Sequence, residues 1–519
     1  MKRIIPLVML LLPLWVLAQT APQTEVDCGE TYVVTPVPDE GYHFVRWSDD
    51  YLYEERIFTA SDDQSFEAIF APNNRIVIED GQTVTIDDGI TTPPNVIIVE
   101  PGGQLNFETS IHLDTLIIEV NSDFTGQIHN IDNIIAASAN IDIFMDYRLD
   151  PVRDEASPDR WYAFAVPFKV DTHEGITRKE GSPSHVYGTD FLILKYDGAQ
   201  RAATGRGWQE VQDGDTLYPG NFYLIGIEGT CNHWLFKKAE GTALSNNTSI
   251  EVAANPSVNP QNAGINGVAN PSLEYMTASG ASTYVCFFNN ATGQFEDPIL
   301  LSDTTFAVGM PFFIQTAAGG TIDFDLPAPP TSNSVARKAA RRHNPYIQLT
   351  LAREQERTPG RMYISLHDDG INDRYVIGRD FARMDNSNAT PHMWCEAYGL
   401  SLAAHGIQTP NSETVIPFNI SVPENGVYRM EMHAVEMNEY VVELLHLGGH
   451  VAYLSFDEQQ FIELNKGTMS DYSLRIRRKI PTDIINATSE ETCTKVVLDN
   501  QLYIRHNGHV YDALGREIK

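Results

Sequence analysis

One pattern repeats along the chain from Thr31 to Ile476: a short run of β-branched, aromatic or aliphatic residues, then a cluster of Gly, Pro, Asn or Asp. Phe191-Leu192-Ile193-Leu194-Lys195-Tyr196 ends at Asp197-Gly198, and Asn221-Phe222-Tyr223-Leu224-Ile225-Gly226-Ile227 follows the turn cluster at 213–215. Runs of about four to eight such residues have the length and chemistry of strands. They lack the spacing of three and four that would give a helix its apolar stripe. Regular short strands with turn residues between them build sandwiches, barrels or stacked rungs. The expected fold class is all-β, in tandem modules.

At roughly 100–200 residues per domain, 519 residues call for several units. Residues 1–18 begin with Lys2-Arg3, continue in an apolar run and end in Val16-Leu17-Ala18, the layout of a cleavable secretory signal peptide. Residues 25–71 read as a small β unit. Residues 73–150 hold Val77–Ile86, Val96–Leu105 and Leu116–Val120 at about 20-residue spacing, the signature of a short β-solenoid or of an antiparallel sheet with similar turns. Residues 160–326 and 345–480 each read as a β-sandwich. Between them, 327–344 opens with Pro327-Ala328-Pro329-Pro330 and runs into Arg337, Lys338, Arg341 and Arg342, a linker that is either solvated, protease-sensitive or a dock for an acidic neighbour. In 494–519, strand, Asn507-Gly508 turn and strand predict a hairpin tail that must pack on something to persist.

Several of these stretches resemble known families. The strings at 29–50 (GETYVVTPVPDEGYHFVRWSDD) and 65–70 (SFEAIF) resemble the internalin-type B-repeat of bacterial surface proteins, with Gly41, Tyr42, Phe44 and Trp47 at its marked positions. Stretches 160–168, 263–275, 308–315, 373–384 and 416–430 look like segments of large secreted proteins of the Bacteroidetes. The tail resembles the C-terminal sorting signal of type IX secretion substrates, in which Tyr511, Asp512, Gly515 and Arg516 match the pattern YD-x-x-GR. These likenesses imply a protein secreted or held at the outer-membrane cell surface, with the secretion machinery as a partner of the tail.

Charge narrows the partners. The chain has 36 Lys and Arg against 69 Asp and Glu, a net charge of −33. Nucleic-acid affinity depends on cations displacing phosphate counterions, so no nucleic-acid role is expected. No later run approaches a spanning length, so no membrane span is expected once the leader is removed. The five cysteines, Cys28, Cys231, Cys286, Cys395 and Cys493, are odd in number and widely spread, which is not a disulfide framework. One or two bridges remain open to them.

Motifs for chemistry are sparse. The chain has no phosphate loop, dinucleotide fingerprint, nucleophile elbow or zinc-protease helix. His446 and His450 flank two glycines and predict a hairpin turn rather than a metal-binding helix. His392 lies close to Cys395, a pairing that can activate a thiolate, though a buried structural cysteine is the plainer reading. Acidic doublets at 49–50, 62–63, 87–88 and 368–369 sit beside turn formers. Asp368, Asp369 and Asp373, around Gly370, are the candidate ligands for Ca2+, and no other cofactor is expected. Trp208 and Trp234 serve either a sugar platform or a core. The expected function is a non-catalytic adhesin recognising a glycan or a surface protein. The alternatives are a secreted hydrolase with an unidentified carboxylate pair and a subunit of a surface layer.

Overall fold

In the computed structural model the longest helix among the described residues has seven residues, Gly198–Thr204, and nearly every other element is a strand. The fold is all-β. The described residues are 31–518, apart from 38–41, 50, 52–54, 60–65, 73, 90–93, 112, 122–124, 136, 149–160, 179–185, 228–232, 245–247, 291–292, 327–343, 354–358, 385–389, 455–458, 480–493, 499–500, 507–508 and 513–516. The leader at 1–18, nearly all of the linker with its basic cluster, Gly41, Asp50, Asp62, Asp63, Cys28, Cys231, Cys493, Gly515 and Arg516 lie outside them.

The first unit is two antiparallel pairs, Thr31–Val34 with Arg56–Thr59 and Tyr42–Trp47 with Ala68–Pro72, the second broken by a bulge between Phe44 and Arg46. Its core is Phe44, Trp47 and Tyr51. Arg56 is buried in this small unit at 1% exposure, with its guanidinium 3.6 Å from the Phe66 ring centre and 5.0 Å from that of Tyr51. A buried charge is costly unless paired, and here Asp49 accepts from Nη1 at 2.6 Å while the ring faces stabilise the cation.

The strands Arg75–Ile78, Val96–Val99, Thr115–Val120 and Asp142–Arg148 then stack in parallel and in register, aligning Ile78, Val99, Ile118 and Met145. A second parallel ladder joins Thr83–Ile86, Gln104–Phe107 and Gln127–His129. Ile78, Val99, Ile118, Met145, Leu105, Phe107 and Ile128 are all fully buried between the two faces. This is the two-faced cross-section of a β-solenoid. The corner between faces demands glycine: Gly102 has φ 88°, and a Cβ on Gly103 would lie 2.4 Å from the Ile78 carbonyl oxygen of the rung below.

Beyond Arg148 the structure departs from the expected self-contained sandwich over 160–326. His233–Lys237 pairs antiparallel with the last rung, and Ile176–Arg178 pairs with it in turn, extending the solenoid face to six strands. The reason is the open edge and apolar end that a final rung exposes, which Trp234 and Phe236 cover at 0% and 1% exposure. A second sheet, Trp161–Phe164, Tyr223–Ile227, Phe191–Tyr196 and Trp208–Glu210, is buried on both sides. Tyr162, Phe164, Ile193 and Ile225 face the solenoid core, whereas Ala163, Leu224 and Tyr196 face a second core. Two-sided burial explains why FLILKY and YLIGI read as continuous apolar runs instead of alternating. The true sandwich is confined to 249–325, where Val252, Phe306, Ile322 and Phe324 on one sheet meet Val285, Phe287, Phe312 and Ile314 on the other.

Residues 346–478 form one eleven-stranded sheet that curls into a near-barrel. Among the described residues its only parallel pair is Gly360–His367 with Leu400–Gln408. Leu349, Met362, Met393, Phe418, Tyr428, Leu444 and Leu474 fill the inside. Tyr346, Tyr363, Phe381 and Ala404 point outward and join Tyr284, Cys286 and Phe313 of the preceding units in one shared core. The tail is more than the expected hairpin. Thr494–Leu498, Gln501–His506, His509–Asp512 and Glu517–Ile518 make a four-stranded antiparallel meander, which supplies the additional strands that an isolated hairpin lacks. Among the described residues no helix is long and apolar enough to cross a membrane.

Candidate functional site

The shared core brings the Gly198–Thr204 helix opposite the near-barrel and leaves a cleft of about 300 Å3 between them. One wall begins at Asp197, whose carboxylate caps the helix by accepting from the Gln200 amide at 3.0 Å, and ends at Gly205 in the left-handed conformation. This short helix carries Arg201, held by Nε donating to Asn262 Oδ1 at 2.8 Å. The facing wall is the hairpin of His392–Ala397 with Leu400–Gln408. Its turn residues Tyr398 and Gly399 have φ 58° and 74°, the double left-handed geometry of a tight two-residue hairpin. The hairpin places Gly399, Leu400 and Ser401 on the cleft, and the Arg383 amide bonds to the Ser401 carbonyl at 2.9 Å. The Arg383 guanidinium lies 4.3 Å from the Trp394 ring centre. Trp394 and Ser401 both donate to Glu396 Oε1, at 2.6 and 2.8 Å. Behind them Gln315, 3% exposed, donates to the Pro260 and Ala263 carbonyls and accepts from the Tyr375 hydroxyl at 2.5 Å. The lining residues include two arginines and no carboxylate.

A second, more open groove of about 590 Å3 runs along the near-barrel, lined by Asp368, Gln408, Glu436, Glu439, Tyr440 and Arg478 among others. Glu439 accepts from Arg478 Nη2 at 2.8 Å, and Glu436 stands at φ 54°, a conformation that costs a residue with a side chain free energy.

The candidate calcium ligands are dispersed in purpose. Asp368 lines this groove. Asp369 accepts from the Ile371 amide at 2.9 Å and from the buried Arg379 guanidinium at 2.7 Å, and these bonds hold its carboxyl below the usual range. Asp373 is exposed in the loop. Among the described residues no group of three or more His, Cys, Asp or Glu is placed to hold a metal ion. His446 and His450 flank a hairpin turn whose central residues, Leu447 and Gly448, have φ 50° and 74°. His446 donates to Asp471 at 2.8 Å and stacks on Tyr472, while His450 packs on Tyr453.

His392 and Cys395 share a strand but, three residues apart, point to opposite faces. Burial pushes the Cys395 thiol up to about 12, and its sulfur contacts Met362 in the barrel core. His392 turns instead to Asp297, with Nδ1 3.2 Å from Oδ1. Trp234 is wholly buried, and Trp208 packs edge-on against Tyr196, Phe222 and Phe313, so both complete cores. Of the acidic doublets, Asp49 serves Arg56 and Asp87 accepts from the Gly89 amide at 2.9 Å as a turn residue. In the tail, Tyr511 pairs with Ile504 and Glu517, and Asp512 with Tyr503. Arg201 and Arg383 carried no sequence signal, because nothing local announces that two arginines 182 positions apart will share a cleft.

Residues 18–74 match the model of a divergent InlB B-repeat domain. That family is typical of surface or secreted proteins, so the chain carries a surface-associated β module. No curated protein and no solved structure matches the chain.

Proposed function

We propose that this protein is an exported, non-catalytic adhesin that recognises a glycan or a protein at the cell exterior. The observation that carries the reading is the B-repeat unit mounted on a continuous β array whose inter-unit cleft is lined by hydrogen-bond donors. Rigid sheets that present loops and clefts suit recognition, because little is lost in ordering them on binding. The C-terminal meander is the element that the secretion machinery reads, and the leader at 1–18 directs export. Deleting 494–519 should trap the chain in the periplasm of its host; unchanged surface display would refute the sorting role. A binding array of glycans and host proteins, probed with the purified chain, should give saturable hits without product formation.

The hydrolase reading draws support from one place, the groove that brings Asp368 near Glu436 and Glu439. It requires that Asp368→Asn and Glu436→Gln abolish turnover of an array glycan. Absence of turnover by the unaltered chain removes it.

A further inference from the structure

We infer that the cleft between the Gly198–Thr204 helix and the Tyr398-Gly399 hairpin binds a saccharide through an oxyanion, a carboxylate or a sulfate; the inference deepens the adhesin reading and rests on it. Three independent features converge here. The first is charge: in a chain of 69 acidic and 36 basic residues, the cleft lining holds Arg201 and Arg383 and no acid, and the two neighbouring carboxylates, Asp197 and Glu396, are each engaged by other donors, Gln200 and Gln209 for the first and Trp394 and Ser401 for the second. A cation pair in a concavity of an otherwise negative surface focuses a local positive potential where the rest of the molecule repels anions.

The second is geometry. Guanidinium forks match the two oxygens of a carboxylate or sulfate, and both forks are fixed by neighbours rather than left to swing. The Arg383 guanidinium is oriented by the Trp394 face at 4.3 Å, and that of Arg201 by Nε donating to Asn262. Fixing them in advance lowers the entropy lost on binding.

The third is the chemistry of the remaining lining. Gln261 adds an amide able to serve sugar hydroxyls, and the exposed lining is predominantly polar, as a hydroxyl-rich ligand requires. At about 300 Å3 the space sits at the lower end of small-ligand clefts, which fits one or two sugar residues and excludes a folded protein domain.

The test is calorimetric titration of the full chain with three probes: D-glucuronate, glucose 6-sulfate and glucose. One or both charged probes should bind at least tenfold more tightly than glucose, and which one does so identifies the oxyanion. Arg201→Met and Arg383→Met should each weaken that binding about tenfold or more. Arg383→Met also disturbs the Trp394 stack, so Leu400→Glu, which adds a carboxylate to the cleft and removes no polar contact, serves as the second variant. It should abolish charged-probe binding while the melting temperature stays within about 2 °C. Equal affinity for glucose, no binding of either charged probe at 10 mM, or full binding by Leu400→Glu would each overturn the inference. Array hits that survive Leu400→Glu would sink this cleft while leaving the adhesin reading intact, whereas a chain with no array hits at all loses both.

Discussion

Asp297 is the residue on which the joint between the 249–325 sandwich and the near-barrel can be tested. It is 7% exposed, accepts from the Arg361 amide at 2.8 Å and lies 3.2 Å from His392 Nδ1. Both partners belong to the near-barrel, at the strands Gly360–His367 and His392–Ala397. Asp297→Leu keeps the side chain's branched skeleton of four heavy atoms but strands a backbone amide and a ring nitrogen in a buried place. Each stranded group costs about 1–3 kcal/mol, so the joint should weaken by about 3 kcal/mol. At 1.4 kcal/mol per factor of ten, that is roughly a hundredfold rise in the open population of the two barrel strands. Hydrogen exchange read by mass spectrometry on peptides covering 360–367 and 392–397 measures this directly, with peptides from the Arg75–Ile78 and Val96–Val99 rungs as the internal control. The expected result is roughly hundredfold faster exchange in the barrel peptides and none in the rungs. Less than threefold acceleration would mean that the shared aromatic core alone holds the units together and that the polar clamp contributes nothing.

Trp234→Ala removes a wholly buried side chain where the solenoid end meets its covering strand, and should cost about 3–5 kcal/mol, read as a lower first melting transition in calorimetry. Burial, reinforced by the Arg379 cation, holds the His367 pKa below its ordinary 6.5. The unfolded state therefore binds the extra proton first, so this contribution to stability is intact above about pH 6.5 and is lost as pH falls from there through the folded value. His367→Gln should accordingly flatten the decline in melting temperature between pH 7 and pH 5; an unchanged slope refutes the assignment. Cys395, with its thiol raised to about 12, and the buried Cys286 should resist iodoacetamide at pH 8 in the native chain and react fully in urea, as read by peptide mapping.

What was legible in the sequence was whatever local chemistry decides. The rungs were legible as recurring apolar runs about 20 residues apart, but that spacing fits a solenoid and an antiparallel sheet alike, and the parallel register is what separates them. The hairpin after His446 was legible because Leu447-Gly448 can take two left-handed conformations in succession, and a helix there could not absorb two glycines. The fusion of units was not legible. Ala163 and Phe164 are neighbours in sequence yet enter different cores, and no property of either tells which face meets which partner. His392 illustrates the same limit in the site: its nearest chemical neighbour in sequence was Cys395, but strand alternation sends the two apart, and the partner that matters stands 95 residues earlier.

The fusion also bears on how the cleft can work. Arg201 stands beside a sheet whose opposite face packs on the solenoid, while Arg383 follows directly on a strand whose Phe381 packs in the core shared with Tyr284 and Phe313. Tyr363 and Phe381 pack edge-on against Tyr284, with ring centres 5.5 and 6.1 Å away, across that junction. A hinge between independent beads would let the two guanidinium groups drift by ångströms, and a bidentate oxyanion site does not tolerate such drift. An aromatic core that crosses the boundary removes the hinge, so the separation of the arginines is set by the same packing that sets the fold. A substitution that loosens this core without touching the cleft, such as Phe381→Ala, should therefore weaken anionic-sugar binding through a slower association and a faster release, whereas Trp234→Ala, at the far side of the middle sheet, should leave both rates unchanged.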